Sequence, residues 1–234
     1  MMDLHIFKSK KEASLYASAK IIHQIKNKPN SVLGLSTGKT MIPIYKDIVY
    51  GYKNHLVDFT KVKTFNVDEY ANIDKKNKNS FYNYMVKNIF SKINIKKSNF
   101  NFPDKNNFHR YDYLIKKSGG LDLLILGLGR NGHIAFNEPG KSSKINSKTR
   151  LINLSSETIK FNKLKSKNIT KSYTIGISTI LKAKKIIIVA FDNDKSKAVY
   201  NLINGKISHE IPSTFLRHHP DCIFILDKKA SKLL

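Results

Sequence analysis

The chain is poor in several features that define whole classes of protein. It has a single cysteine, Cys222, which excludes a disulfide framework and a zinc ribbon. Its longest apolar stretches, such as 186–191, are far too short to span a membrane. The first residues carry no apolar run behind a basic start, so no signal peptide is expected. These absences predict a cytoplasmic protein in a reducing compartment, without a membrane partner.

Acidic residues and arginine are also scarce. The chain has 17 Asp and Glu against 42 Lys and Arg, a formal net charge of +25, and only four of the basic residues are arginine. A nucleic-acid surface is expected to concentrate its basic residues and to use arginine for bidentate contacts. Here lysine is spread along the whole chain, which favours a solvated lysine-rich surface and no nucleic-acid partner. The positive field is nevertheless expected to attract anions.

The chain contains no Gly/Ser or Pro linker and no internal repeat, and 41% of its residues are hydrophobic. Residues 1–234 are therefore expected to form one domain. Apolar strands alternate with helical patterns, which predicts an α/β fold with an open, mostly parallel, Rossmann-like sheet and helices on both faces. The predicted strands are 31–35, 62–67, 121–126, 150–154, 173–177, 186–191 and 222–226. Ligands of such folds bind at the carboxyl ends of the strands.

The first loop at a predicted strand end comprises Ser36, Thr37, Gly38, Lys39 and Thr40. Backbone N–H groups at the start of the following helix favour an anion such as phosphate. The threonine hydroxyls and the Lys39 ammonium add further donors. The loop lacks the first glycine and the spacing of a Walker motif. An ordinary capped turn is the alternative interpretation.

The second loop carries adjacent carboxylates, Asp68 and Glu69, directly after a strand. Adjacent side chains point in different directions, so only one is expected to face a site. A partly desolvated carboxylate there is a candidate general base. The alternative is that either residue caps the next segment.

The third loop matches G-x-G-x-x-G at 127–132, but the breaker sequence at 138–140 argues against the long helix that a dinucleotide site requires. We interpret the glycines as a turn that presents Asn131, His133 and Glu138 together. Histidine transfers protons near neutral pH, and a neighbouring amide or carboxylate holds its tautomer. A structural histidine is the alternative.

Together the loops resemble the glucosamine-6-phosphate deaminase family. The segments 64–70 (TFNVDEY) and 132–139 (GHIAFNEP) are near-verbatim family blocks, and 33–38 (LGLSTG) is similar to the family's phosphate-binding start. Ser80-Phe81-Tyr82 follows the first block as in the family. The resemblance covers nearly the whole chain. It also extends to 6-phosphogluconolactonases, which share the fold, but the Phe-Asn-Glu-Pro run favours the deaminases.

The resemblance implies a reaction in two stages that needs neither cofactor nor metal. His133, oriented or polarised by Asn131 and Glu138, opens the ring of an amino-sugar phosphate. Asp68 then moves a proton from C2 to C1, and hydrolysis of the resulting imine gives fructose 6-phosphate and ammonia. Lys195 matches a lysine of the family that contacts the phosphate.

The chain also departs from the family pattern. Asn131 stands where the member with the fullest mechanism has aspartate, and an arginine that grips phosphate falls at Leu164, where Lys163 or Lys165 is a possible substitute. The chain ends at Leu234, short of the extension of allosteric hexamers, so a monomer or small homo-oligomer is expected. The alternatives are a 6-phosphogluconolactonase-like hydrolase and a catalytically weak sugar-phosphate sensor.

Overall fold

A parallel sheet forms the centre of the computed structural model, which describes residues 3–161 and 169–234. The strands are β1 (Asp3–Phe7), β2 (Val32–Leu35), β3 (Lys63–Asn66), β4 (Asp68–Tyr70), β5 (Phe100–Asn101), β6 (Leu123–Gly127), β7 (Arg150–Asn153), β8 (Lys171–Thr174), β9 (Ile186–Ala190) and β10 (Cys222–Asp227). The parallel sheet has the order β1-β10-β9-β6-β2-β3-β5. Its central strands are continuous apolar runs because helices cover both faces.

The helices pack on the two faces of this sheet. They are α1 (Lys10–Asn27), α2 (Met41–Lys53), α3 (Phe81–Asn88), α4 (Tyr111–Lys117), α5 (Ser156–Phe161), α6 (Ile177–Ile180) and α7 (Ser196–Asn204). One face is covered by α1, α2 and α3, and the other by α4, α6 and α7. In α1, Ala13, Ala17, Ile21 and Ile25 recur every four residues and are buried, so they line one side of the helix. The predicted fold class is confirmed.

Two of the predicted strands lie outside the parallel sheet. Strands β7 and β8 pair with β4 in a separate antiparallel sheet of the order β4-β8-β7. The expectation of one sheet that includes 150–154 and 173–177 is therefore wrong. The second of these strands also ends early, because Gly176 caps α6. The small sheet places β4 beside the carboxyl end of β3.

The order in which strands are added to the sheet reverses between β2 and β6, which are adjacent and parallel. From β2 the sheet continues to β3, whereas from β6 it continues through β9 to β10. This is the topological switch point at which α/β proteins bind ligands. No helix of the described residues is long and apolar enough to cross a membrane.

Candidate active site

Two tyrosine hydroxyls donate hydrogen bonds to backbone carbonyls of the loop after β2. Gly38 has φ of +107°, a conformation that side chains with a Cβ rarely adopt. Its carbonyl accepts a hydrogen bond of 2.7 Å from the Tyr84 hydroxyl, and the Ser36 carbonyl accepts one from Tyr45. The Ser36 hydroxyl donates to the carbonyl of Ile125 at 2.8 Å. Ser36 therefore connects the loop to β6. Because its hydroxyl proton is used in this bond, other groups of the loop have to donate to a ligand.

The remaining loop residues lie at the start of α2. Thr40 forms no side-chain cap, and the Met41 N–H donates to the Gly38 carbonyl at 3.1 Å. Thr37 and Thr40 are partly exposed, and Lys39 is exposed. The positive end of the helix thus lies beside polar side chains that are exposed or partly exposed, which suits an anion.

Asp68 and Glu69 have divergent environments. The Glu69 carboxylate accepts hydrogen bonds of 2.8–2.9 Å from the N–H groups of Tyr70, Phe81 and Tyr82, so it caps the first turn of α3. Asp68 is only 5% exposed, and its Oδ1 has no hydrogen-bond partner among the described residues. Burial raises the pKa of Asp68 well above its ordinary value, and the charge of Glu69 adds to this effect.

Asn131 connects His133 with Glu138. Its Oδ1 accepts from His133 Nδ1 at 2.7 Å, and its Nδ2 donates to Glu138 Oε2 at 2.9 Å. An amide oxygen can only accept, so Nδ1 carries the proton in the neutral ring and Nε2 keeps its lone pair. Thr158 donates to the other oxygen of Glu138 and fixes that carboxylate. The three predicted residues thus form one hydrogen-bonded chain.

Burial lowers the pKa of His133 below its ordinary value. Glu138, whose Oε1 lies 3.9 Å from Nδ1, opposes this shift, and the Lys195 ammonium adds to it. The imidazole is therefore neutral at pH 7. A Cβ at Gly129 would lie 2.4 Å from the ring, so a glycine is required there for the histidine to occupy this position.

Lys195 precedes α7 at the carboxyl end of β9. Burial lowers the pKa of its ammonium, Arg130 acts in the same direction, and Asp194 and Asp192 oppose the shift. The ammonium forms no hydrogen bond or ion pair with any described residue. Lys163, Leu164 and Lys165 lie outside the described residues.

Three polar residues beside the site were not predicted. Asn66 is fully buried at the end of β3, and neither atom of its amide has a partner among the described residues. Arg150 donates to Asn137 Oδ1 at 3.0 Å, and Asn137 in turn donates to the carbonyls of Ile134 and Ile175. Thr158 holds Glu138. Asn66 lies within the segment 64–70, and Arg150 and Thr158 lie outside the segments that resemble the family blocks, but in each case only the tertiary structure reveals the environment of the side chain.

The sequence and the fold match those of known proteins. Residues 8–224 match the family model described as glucosamine-6-phosphate isomerases/6-phosphogluconolactonase. The chain belongs to this family. A glucosamine-6-phosphate deaminase of Clostridium botulinum (strain Langeland) is 45% identical over 95% of each chain. One of Clostridium novyi (strain NT) is 42% identical over the full length of both. The family resemblance read from the loops is confirmed.

Two solved structures of other proteins have the same fold as this chain. A structure described as a monomeric glucosamine-6-phosphate deaminase matches with a TM-score of 0.94 at 32% identity over the whole of both chains. The 6-phosphogluconolactonase of Trypanosoma brucei matches with a TM-score of 0.78 at 18% identity, over 100% of this chain and 99% of that one. The second likeness shows the shared fold alone.

Proposed function

We propose that this enzyme converts glucosamine 6-phosphate and water into fructose 6-phosphate and ammonia. The observation that carries the proposal is the presence of a neutral, oriented His133 together with a buried Asp68 carboxylate whose Oδ1 has no partner among the described residues. Ring opening needs a group that both takes and gives a proton near pH 7, and the migration of a C–H proton needs a carboxylate base. The identity to relatives named glucosamine-6-phosphate deaminase supports the same substrate.

Ring opening is assigned to His133. Its Nε2 lone pair accepts the proton of the anomeric hydroxyl and returns a proton to the ring oxygen, which breaks the C1–O5 bond and leaves an aldehyde. Asn131 holds the tautomer that this step requires, and Glu138 stabilises the imidazolium that forms transiently. The lowered pKa of His133 keeps the ring neutral and ready to accept.

Isomerisation and deamination are assigned to Asp68. The carboxylate takes the C2 proton while the ammonium group of the substrate gives a proton to O1, which forms the enolamine; the carboxyl group then returns its proton to C1 and leaves a protonated imine at C2. Water adds to this imine, and the C–N bond breaks to give the ketone and ammonia. The raised pKa of Asp68 helps it to hold the proton between the two transfers.

Phosphate recognition is assigned to the loop 36–40 and Lys195. The backbone and hydroxyl donors of Thr37 and Thr40, the Gly38 turn and the Lys39 ammonium lie together at the start of α2. Lys195 adds a partly buried cation without a competing partner among the described residues. Ser36 acts by fixing the loop, because its hydroxyl donates to Ile125.

The test measures ammonia and acid release from glucosamine 6-phosphate, galactosamine 6-phosphate and 6-phosphogluconolactone. The wild type is expected to release ammonia from an amino sugar, and Asp68→Asn is expected to lower that rate by roughly 10²–10⁴-fold. Asp221→Asn, an exposed change at the opposite edge of the sheet, is the matched control. Near-normal ammonia release by Asp68→Asn refutes the role of Asp68. Acid release from the lactone alone supports the hydrolase, and no release from any substrate supports the sensor.

We also propose one domain, a monomeric state and a cytoplasmic location. Parallel pairing of β1 with β10 joins the two ends of the chain in one sheet, which supports a single domain. The structural neighbour described as monomeric supports the monomer, which sedimentation tests directly. The single, buried Cys222 fits a reducing compartment.

A further inference from the structure

The loop between β9 and α7 contains a backbone conformation that is unfavourable for its residue. Asp192 has φ of +73° and ψ of 156°, a region occupied almost exclusively by glycine. Such a conformation persists only where the surrounding structure holds it, and it is typical of functional sites. The loop leads directly to Lys195, so its geometry determines where that ammonium lies.

Asp227 at the end of β10 holds the backbone of this loop. Both of its carboxylate oxygens accept from the Asp192 N–H, at 3.1 and 3.2 Å, and Oδ1 also accepts from the Ala230 N–H at 2.8 Å. Asp227 is 3% exposed. The Asp192 carbonyl then accepts the Lys195 N–H at 3.2 Å, which closes the turn before α7.

The acidic side chains of the loop are paired with cations from elsewhere in the fold. Lys10, at the start of α1, lies 2.9 Å from Asp192 Oδ2. Arg130, in the loop that carries His133, lies 2.6 Å from Asp194 Oδ2. Both carboxylates are near enough to Lys195 to influence its pKa, yet neither pairs with it. Because both carboxylates are paired with other cations, the Lys195 ammonium is available to bind a ligand.

We propose that Lys10 and Asp227 are positioning residues for phosphate binding: Asp227 fixes the strained turn, and Lys10 keeps the Asp192 carboxylate from pairing with Lys195. The proposal rests on the proposed function, because it takes the phosphate of the sugar as the partner of Lys195. Loss of Lys10 leaves Asp192 free to compete with that phosphate. The effect falls on binding and leaves the proton transfers at Asp68 and His133 unchanged.

The decisive variant is Lys10→Ala, whose side chain is 38% exposed in the wild type and whose loss should not prevent folding. We expect the KM for glucosamine 6-phosphate and the Kd of inorganic phosphate, measured by calorimetry, to rise about three- to fivefold, with kcat within about twofold. In Lys10→Ala/Asp192→Asn the competing charge is also gone, and both constants are expected to return towards the wild-type values. Lys11→Ala, an exposed neighbour with the same loss of charge, is the control.

Asp227→Ala provides the second test, with the midpoint of thermal unfolding as a check on folding. A folded Asp227→Ala protein is expected to lose phosphate affinity, and Asp227→Asn, which keeps an acceptor oxygen, is expected to recover most of it. The proposal is overturned if Lys10→Ala leaves both constants unchanged, if Lys11→Ala has the same effect, or if kcat falls while KM stays constant. Because phosphate binding is measured without turnover, a wild type that binds phosphate but releases no ammonia refutes the proposed function alone.

Discussion

Replacement of Asn131 by aspartate tests the electrostatics of His133, the proposed proton carrier. The amide oxygen that accepts from His133 Nδ1 at 2.7 Å becomes part of a carboxylate, so the hydrogen bond can remain while a negative charge is added. At an effective dielectric constant of about 20, unit charges about 4 Å apart interact by about 4 kcal/mol, or about 3 pKa units. That value is the upper limit of the rise in the pKa of His133.

Glu138 reduces this effect. The Asn131 Nδ2 that now donates to Glu138 Oε2 at 2.9 Å would be replaced by an oxygen, and two carboxylates at that separation repel each other. The pair is expected to share a proton over part of the pH range. The added charge then acts only in part, and we expect the pKa of His133 to rise by about one to two units.

The sign of the activity change follows from the role of the neutral ring. His133 accepts a proton in ring opening, so activity falls as pH drops through its pKa. Asn131→Asp raises that pKa and is expected to move the acidic limb of kcat/KM to higher pH by about the same one to two units. Asn146→Asp, which adds the same charge on an exposed nearby loop, is the control.

Two measurements distinguish the possible outcomes. The rate of ammonia release as a function of pH gives the acidic limb of kcat/KM. Nuclear magnetic resonance of the imidazole nitrogens, assigned by comparison with the His133→Gln protein, gives the pKa of His133. If the resonance does not shift, the electrostatic argument is wrong. If the resonance shifts and the limb does not, the limb reports another group, such as Asp68, and the claim that protonation of His133 sets the limb is refuted.

Two further substitutions separate structural from catalytic groups. Glu69→Ala removes the acceptor of the Tyr70, Phe81 and Tyr82 N–H groups, so the free energy of unfolding, measured in urea, should fall by about 2–3 kcal/mol even though the N-cap residue of α3 is retained; an unchanged value would contradict this stabilising role of Glu69. Gly129→Ala places a methyl group against the imidazole of His133 and should lower kcat/KM by at least about tenfold, with a much smaller effect on unfolding. Equal activity of the Gly129→Ala protein would show that the ring does not need its present position.

Five strands of the parallel sheet could be predicted because they are short apolar runs that end in polar or glycine-rich loops, whereas the edge strands β1 and β5 were not predicted. The antiparallel sheet could not be predicted. Its strand β4 has only three residues and follows β3 after a single residue, so the two appear as one strand in the sequence. Its partner β8 lies about a hundred residues away, and nothing local specifies that pairing. Strands β7 and β8 therefore appeared to belong to the main sheet.

The candidate site residues at strand ends could be predicted from the sequence, because polar, reactive side chains next to glycine turns are easily distinguished from the apolar strands that precede them. The residues that support them could not. Tyr45 and Tyr84 fit the apolar pattern of their helices, and only the structure shows that their hydroxyls hold the loop after β2. Asn66 lies in the segment 64–70, but the sequence does not reveal that its amide is completely buried and has no hydrogen-bond partner among the described residues.

The environment of each carboxylate, rather than the lysine-rich composition of the chain, decides which carboxylate is suited to act as a base. Lysine is abundant, and carboxylates pair with it at partly exposed and at buried positions, as Asp192 pairs with Lys10 and Asp122 with Lys28 and Lys184. Asp68 is 5% exposed and forms no such pair with a described residue, and the charge that acts on it is that of Glu69. A lysine paired with Asp68 would lower its pKa and weaken it as a base. Under the proposed function, the lysine-rich surface attracts the anionic substrate, while the buried carboxylate keeps the raised pKa that suits its role as a base.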